Sequence, residues 1–123
     1  MARVLIVDDS WLTRRALAKI LAADGHEYAE ATNGLEAAVK LAEFQPDVIL
    51  LDLVMPEMDG FEFLRSYQSR AERVPVLVLT ADIQDTTHAK CADLGVAGVL
   101  HKPPREHEIN EQLARILKGD DNA

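Results

Sequence analysis

The sequence predicts a doubly wound α/β sandwich: a five-stranded parallel sheet of order 2-1-3-4-5 with helices on both faces. Three observations lead there. Val4 to Val7, Val48 to Leu51 and Val76 to Leu79 are short apolar runs, rich in β-branched residues, without the polar alternation of a strand with one wet face. They read as central strands. Segments of helical spacing separate the runs at crossover length, which implies right-handed βαβ units. The runs HEYAEA at 26–31 and GVLH at 98–101 are charged or brief and read as edges, so the order follows with strands 1, 3 and 4 inside.

The helices follow in order. The first begins after Ser10, presents Leu12, Ala16, Leu17, Ile20 and Leu21 on one face, and stops at Gly25. In the second, Asn33 and Glu36 have capping-box spacing, and Pro46 lies just past the end. A third starts after Asp59, with Glu62 three residues on, and carries Phe61, Leu64 and Tyr67. The fourth, around Ile83 to Leu94, has the poorest pattern, because Thr86 and Thr87 disfavour helix and only Gly95 marks a stop. Ile109, Leu113, Ile116 and Leu117 give the last helix its face. One domain over residues 1–118 is expected, with a frayed tail at 119–123 and no separate output domain.

A net charge of −8 with 48% apolar residues suits a soluble globular protein and argues against direct nucleic-acid or anionic-membrane binding. The longest apolar stretch, VILLDLVM, is interrupted by Asp52 and falls far short of the roughly 20 residues a membrane helix needs. With no signal-peptide core at the N-terminus, a cytoplasmic location is expected. Cys91 is alone and closes no intramolecular disulfide. Trp11 reads as a packing residue at the start of the first helix. His26, His88, His101 and His107 show no metal-ligand spacing and read as surface or sheet-edge residues.

The chemistry lies where the strands end. Strand 1 ends in Asp8 and Asp9, strand 3 in Asp52, strand 4 in Thr80 and strand 5 in Lys102, and parallel strands bring these ends to one edge, beside the switch point between strands 1 and 3. Three carboxylates within about 5 Å repel by several kcal/mol per pair at an effective dielectric near 20. A divalent cation removes that cost, and an all-oxygen set completed by water and phosphate suits Mg2+. Lys102 supplies an opposing ammonium and Thr80 a hydroxyl donor. Such an arrangement is what a phosphoryl group needs, with Asp52 on the central strand as nucleophile. An acidic pair after a strand is ordinarily a cap or a solvated turn; the signal here is the combination.

VLIVDDS, LLDLVMPEMDG, VPVLVLTA and HKPP resemble, in order and spacing, the signature segments of the response-regulator receiver domain of two-component signalling, over residues 2 to 118. The resemblance implies a (βα)5 flavodoxin-like fold in a single-domain response regulator. It implies that Asp52 accepts a phosphoryl group from a phosphohistidine on a sensor histidine kinase or phosphotransfer protein. Asp9 is then the direct Mg2+ ligand, Asp8 acts mainly through water, and the backbone carbonyl of Val54 completes the protein ligands. Thr80 and Lys102 hold phosphoryl oxygens, the Lys102 to Pro103 bond is cis, and Pro56 and Gly60 shape the loop beside the acceptor. Formation and hydrolysis of the acyl phosphate are self-catalysed, making a switch rather than a conventional enzyme. Thr80 moves toward the phosphoryl group and repacks the surface of helix 4, strand 5 and helix 5, which a downstream protein reads. Where the family often carries an aromatic, three residues before Lys102, this chain has Val99.

Two rivals stand beside that reading. A Mg2+-dependent phosphohydrolase with an aspartyl nucleophile would carry a second aspartate two residues after Asp52, where the chain has Val54, and a cap domain for which there is no spare length. A receiver-like binding module working without phosphorylation is compatible with Val99 but leaves the intact acidic pair, acceptor, threonine and lysine unexplained.

Overall fold

A computed structural model describes residues 2–53, 74–82 and 84–118. The elements are β1 (Arg3–Val7), α1 (Trp11–Ala23), β2 (Glu27–Ala31), α2 (Gly34–Phe44), β3 (Val48–Leu51), β4 (Val76–Thr80), α3 (Asp85–Asp93), β5 (Gly98–His101) and α4 (Glu106–Leu117). The expected helix carrying Phe61, Leu64 and Tyr67, the MPEMDG loop and the tail lie outside the described residues. The five strands form one parallel sheet of order β2-β1-β3-β4-β5, as expected.

Alternation along the buried strands builds two cores. Val4, Ile6, Val48, Leu50, Leu77 and Leu79 face α1 and α4, where they meet Leu17, Leu21, Ile109, Leu113 and Ile116. Leu5, Val7, Ile49, Leu51, Val76 and Val78 line the other face with Ala37 and Leu41 of α2 and Cys91 of α3. Successive side chains in a strand point to opposite faces, so an unbroken apolar run can serve both cores at once. That is why the central strands show no alternation in sequence.

Helix ends follow the anticipated chemistry with two adjustments. Ser10 caps α1, its hydroxyl accepting from the Thr13 N–H at 3.2 Å, and Gly25 takes the left-handed conformation at φ 80° just beyond the helix. Asn33 caps α2 through the Glu36 N–H at 2.8 Å. The Glu36 carboxylate reaches back to the N–H and hydroxyl of Thr32, at 2.7 and 2.8 Å, not to Asn33, and these bonds hold its pKa below the ordinary value. At the other end, Gln45 adopts the left-handed conformation at φ 52°, a role glycine fills more cheaply.

Three expectations about packing are corrected. Leu12 is 73% exposed, and α1 instead buries Leu17, Ala18 and Leu21. Leu12 stands nine residues before Leu21, two and a half turns, and so points to the opposite side of the helix. Trp11 is 58% exposed and packs into neither core; the Arg15 guanidinium stacks over its ring, 5.4 Å from the centroid. On α4, Ile109, Leu113 and Ile116 are buried, whereas Leu117 lies at the rim. The poorly patterned segment forms α3, with Thr87 tolerated because its hydroxyl donates to the Asp82 carboxylate at 2.6 Å.

Candidate functional site

The sheet hydrogen bonding runs one residue past the strands and pins the candidate residues there. The Asp8 N–H donates to the Ala31 carbonyl at 3.0 Å, Asp52 to Val7 at 2.9 Å, and Lys102 to Thr80 at 2.9 Å. Because Val7 pairs with Leu51 in register, Asp8 and Asp52 leave adjacent strands at the same level. The Lys102–Pro103 peptide is cis, in agreement with the resemblance.

One carboxylate oxygen from each of Asp8, Asp9 and Asp52 lies within 4.8 Å of the other two. Asp8 and Asp52 are buried, at 2% and 6% exposure, whereas Asp9 is open to solvent. Lys102 reaches across from the end of β5, its Nζ 2.9 Å from Asp8 Oδ2 and 3.3 Å from Asp52 Oδ2. Burial by itself would lower the pKa of this ammonium. The hydrogen bond to Asp8, the charges of Asp52 and Asp8, and the bond to Asp52 together outweigh burial and hold the pKa above its ordinary value. Lys102 is therefore a fixed cation, balancing part of the acidic cluster.

Asp8 is braced on all sides. Its Oδ1 accepts from the Ser10 N–H at 2.8 Å, closing the turn that leads into α1. Its backbone carbonyl accepts from Arg14 Nη1 at 2.9 Å, and Arg14 Nε in turn donates to Glu30 at 2.9 Å. One carboxylate thus serves both as the turn residue of the bland reading and as a member of the cluster. Arg14 escaped the sequence reading, although its place one turn into α1, beside the strand end, is the signal that could have found it.

Thr80 is fully buried at the end of β4, and its hydroxyl oxygen accepts from the Asp82 N–H at 3.1 Å, which leaves the O–H hydrogen available to donate. The carboxylate of Asp82 is occupied by the Thr87 hydroxyl and the Gln84 N–H, and these two bonds hold its pKa low. It forms the entry turn of α3. Val54 lies outside the described residues. Val99 is half-buried, paired with Val78 and packed against the core on the α2–α3 face.

The donor set passes a chemical test for a hard divalent ion. It offers three carboxylate oxygens, two held rigidly and one exposed for entry, with no thiolate or imidazole among them. Among the described residues, Lys102 neutralises only part of three negative charges, which leaves an attraction for a cation.

Comparison with known proteins adds the family. Residues 4–114 match the model of the response regulator receiver domain. Protein PilH of Pseudomonas aeruginosa is 34% identical, over 97% of this chain and 100% of that protein. The protein-glutamate methylesterase/protein-glutamine glutaminase of Treponema denticola is 41% identical over 94% of this chain, which spans 33% of the relative's length. Other curated relatives are likewise matched over only a quarter to a half of their length. Among solved structures, the chemotaxis protein CheY4 of Vibrio cholerae superimposes with a TM-score of 0.86 at 35% identity, covering 94% of this chain and 98% of that one.

Proposed function

The chain belongs to the response regulator receiver domain family of two-component signalling, and from that membership we propose that it is a phosphorylation switch whose acceptor is Asp52. The observation that carries the reading is the placement of one ammonium, Lys102, between the buried carboxylates of Asp8 and Asp52, with Asp9 open beside them.

In the proposed reaction, a carboxylate oxygen of Asp52 attacks the phosphorus of a phosphohistidine on a sensor kinase or phosphotransfer protein. The new O–P bond forms as the P–N bond breaks, and the electron pair stays on the departing imidazole, which takes a proton from solvent. Asp9, Asp8, Asp52 and the Val54 carbonyl would hold Mg2+, which when bound neutralises phosphoryl oxygens and offsets the repulsion between an anionic acceptor and an anionic donor. Lys102 passes from carboxylate to phosphoryl oxygen, a short move from a position already 3.3 Å from Asp52. The Thr80 O–H donates to a second phosphoryl oxygen. Attack of water on phosphorus later returns the Asp52 carboxylate and inorganic phosphate, which makes the state self-limiting.

Phosphorylation biases a two-state equilibrium only by the difference in its interactions with the two states. Thr80 is the proposed reporter of that difference, passing it to the surface formed by α3, β5 and α4, which a downstream protein reads. Val99 packs into the core and has no ring to swing, so the signal travels through Thr80 and the α3 entry turn, where Asp82 bridges Thr80 and Thr87. Residues 1–118 constitute the receiver in this reading.

Incubation with Mg2+ and a small phosphodonor tests the proposal by intact mass. One phosphoryl group per chain is expected, lost in Asp52→Asn and on chelation. No uptake by the unaltered chain would sink the reading and favour a binding module that works without phosphate.

A further inference from the structure

Away from the aspartates, His88 on α3 and His101 at the end of β5 converge. Their Nε2 atoms are 2.9 Å apart and their ring centroids 5.0 Å apart, although 13 residues separate them in the chain. A hydrogen bond accounts for this distance when one ring carries its proton on Nε2 and the other presents a lone pair. The same geometry brings two borderline nitrogen ligands to a common point at the protein surface.

We propose that His88 and His101 form a two-histidine site for a divalent transition ion of the nickel, copper or zinc class, bridging α3 and β5. The distance carries the argument. Two imidazole nitrogens each about 2.05 Å from one ion stand about 2.9 Å apart at a right angle and about 3.3 Å apart at the tetrahedral angle. The nitrogen separation equals the right-angle value, whereas the 5.0 Å between centroids lies nearer the about 5.2 Å of the tetrahedral angle than the about 4.5 Å of the right angle. An ion therefore enters by opening the nitrogens by about 0.4 Å and tilting the rings. Entry of the ion also requires the donating ring to move its proton from Nε2 to Nδ1. No net proton is gained or lost between two neutral rings.

The surroundings favour a cation. The Asp82 carboxylate accepts from the hydroxyl of Thr87, the residue before His88, at 2.6 Å, which puts a negative charge close to the site. Lys102, next to His101 in sequence, is engaged by Asp8 and Asp52 on the inner side of the sheet edge. His101 is exposed and His88 half-exposed, so water can complete the coordination sphere. Imidazole discriminates against Mg2+, so this site and the aspartate cluster select different ions, and the inference is independent of the phosphorylation reading.

Calorimetric titration of tag-free protein with Ni2+ and, separately, Zn2+, in saturating Mg2+ to occupy the aspartates, tests the site. One ion per chain is expected, with affinity reduced at least about tenfold in both His88→Gln and His101→Gln and unchanged in His107→Gln. The imidazole NMR signals of residues 88 and 101 should shift together at one equivalent. Both substitutions are at accessible positions, and a melting curve checks that each variant is folded. Absence of binding, unchanged affinity in both variants, or loss in only one of them would overturn the proposal.

Discussion

Replacing Lys102 by Met removes the cation that, among the described residues, stands between Asp8 and Asp52, and the cost can be worked from the geometry. At an effective dielectric near 20, the contacts at 2.9 and 3.3 Å correspond to gross attractions of about 5 to 6 kcal/mol each. Desolvation of the ammonium offsets most of that, and removal of one partner of a fully buried pair costs about 3–5 kcal/mol in practice. Lys102 keeps 19% of its side chain exposed and Asp9 is open to water, so screening brings the expected loss to about 2–3 kcal/mol. In a domain of this size that is a fall in Tm of roughly 6–15 °C, measured by calorimetry in chelator. Saturating Mg2+ should shrink the deficit to less than half, because the ion supplies the counter-charge that the variant lacks. The variant should accordingly bind Mg2+ more tightly than the unaltered chain. pH gives an independent check. The folded pKa of Lys102 lies above its unfolded value near 10.4, so its contribution is complete below that pH and is lost as pH rises through the folded pKa. The stability difference between the two chains should close over that alkaline range. A loss below about 1 kcal/mol in chelator, or an equal loss with and without Mg2+, would refute the reasoning.

Three further outcomes are expected. Asn33→Ala removes the N-cap of α2 and should cost about 1 kcal/mol in urea unfolding without altering m. Leu21→Ala should cost about 2–5 kcal/mol and Leu12→Ala within about 0.5, a contrast that tests which face of α1 is buried. Glu36 has a depressed folded pKa, so its stabilising contribution is complete above pH 4.5 and is lost as pH falls through the folded value. Glu36→Gln should therefore flatten the acid limb of the stability curve.

The sheet was legible because its order depends on which runs are apolar on both faces, a property of composition alone. Val48 to Leu51 and Val76 to Leu79 could only be central; Glu27 and Glu30 could only be tolerated at an edge. Helix faces were less legible. Leu12 is as apolar as Leu21, and with Ala16 between them a wide stripe can be drawn that includes both. What decides is where the sheet lies, and on that side α1 presents Leu17, Ala18 and Leu21. The Gln45 cap was unreadable for a related reason: a left-handed residue is announced in sequence when it is glycine or asparagine, and glutamine gives no sign.

The aspartates and the histidine pair show why one cluster of side chains can be read from sequence and another cannot. Asp8, Asp52 and Lys102 sit one residue past three parallel strands, and the ladder bonds to Ala31, Val7 and Thr80 carry the register through that residue. Knowing that the strands are parallel is therefore enough to place the three backbones at one edge, and opposite charge does the rest. His88 and His101 have no such shared frame. Their meeting depends on the rotation of α3 about its axis, which is set by the burial of Thr87 and Cys91 against the sheet. With those two residues inward, His88 is carried to the side of the helix nearest the end of β5. Neither spacing nor composition records that angle. Chemistry at strand ends is thus encoded by topology, whereas chemistry between a helix and a strand is encoded only by packing.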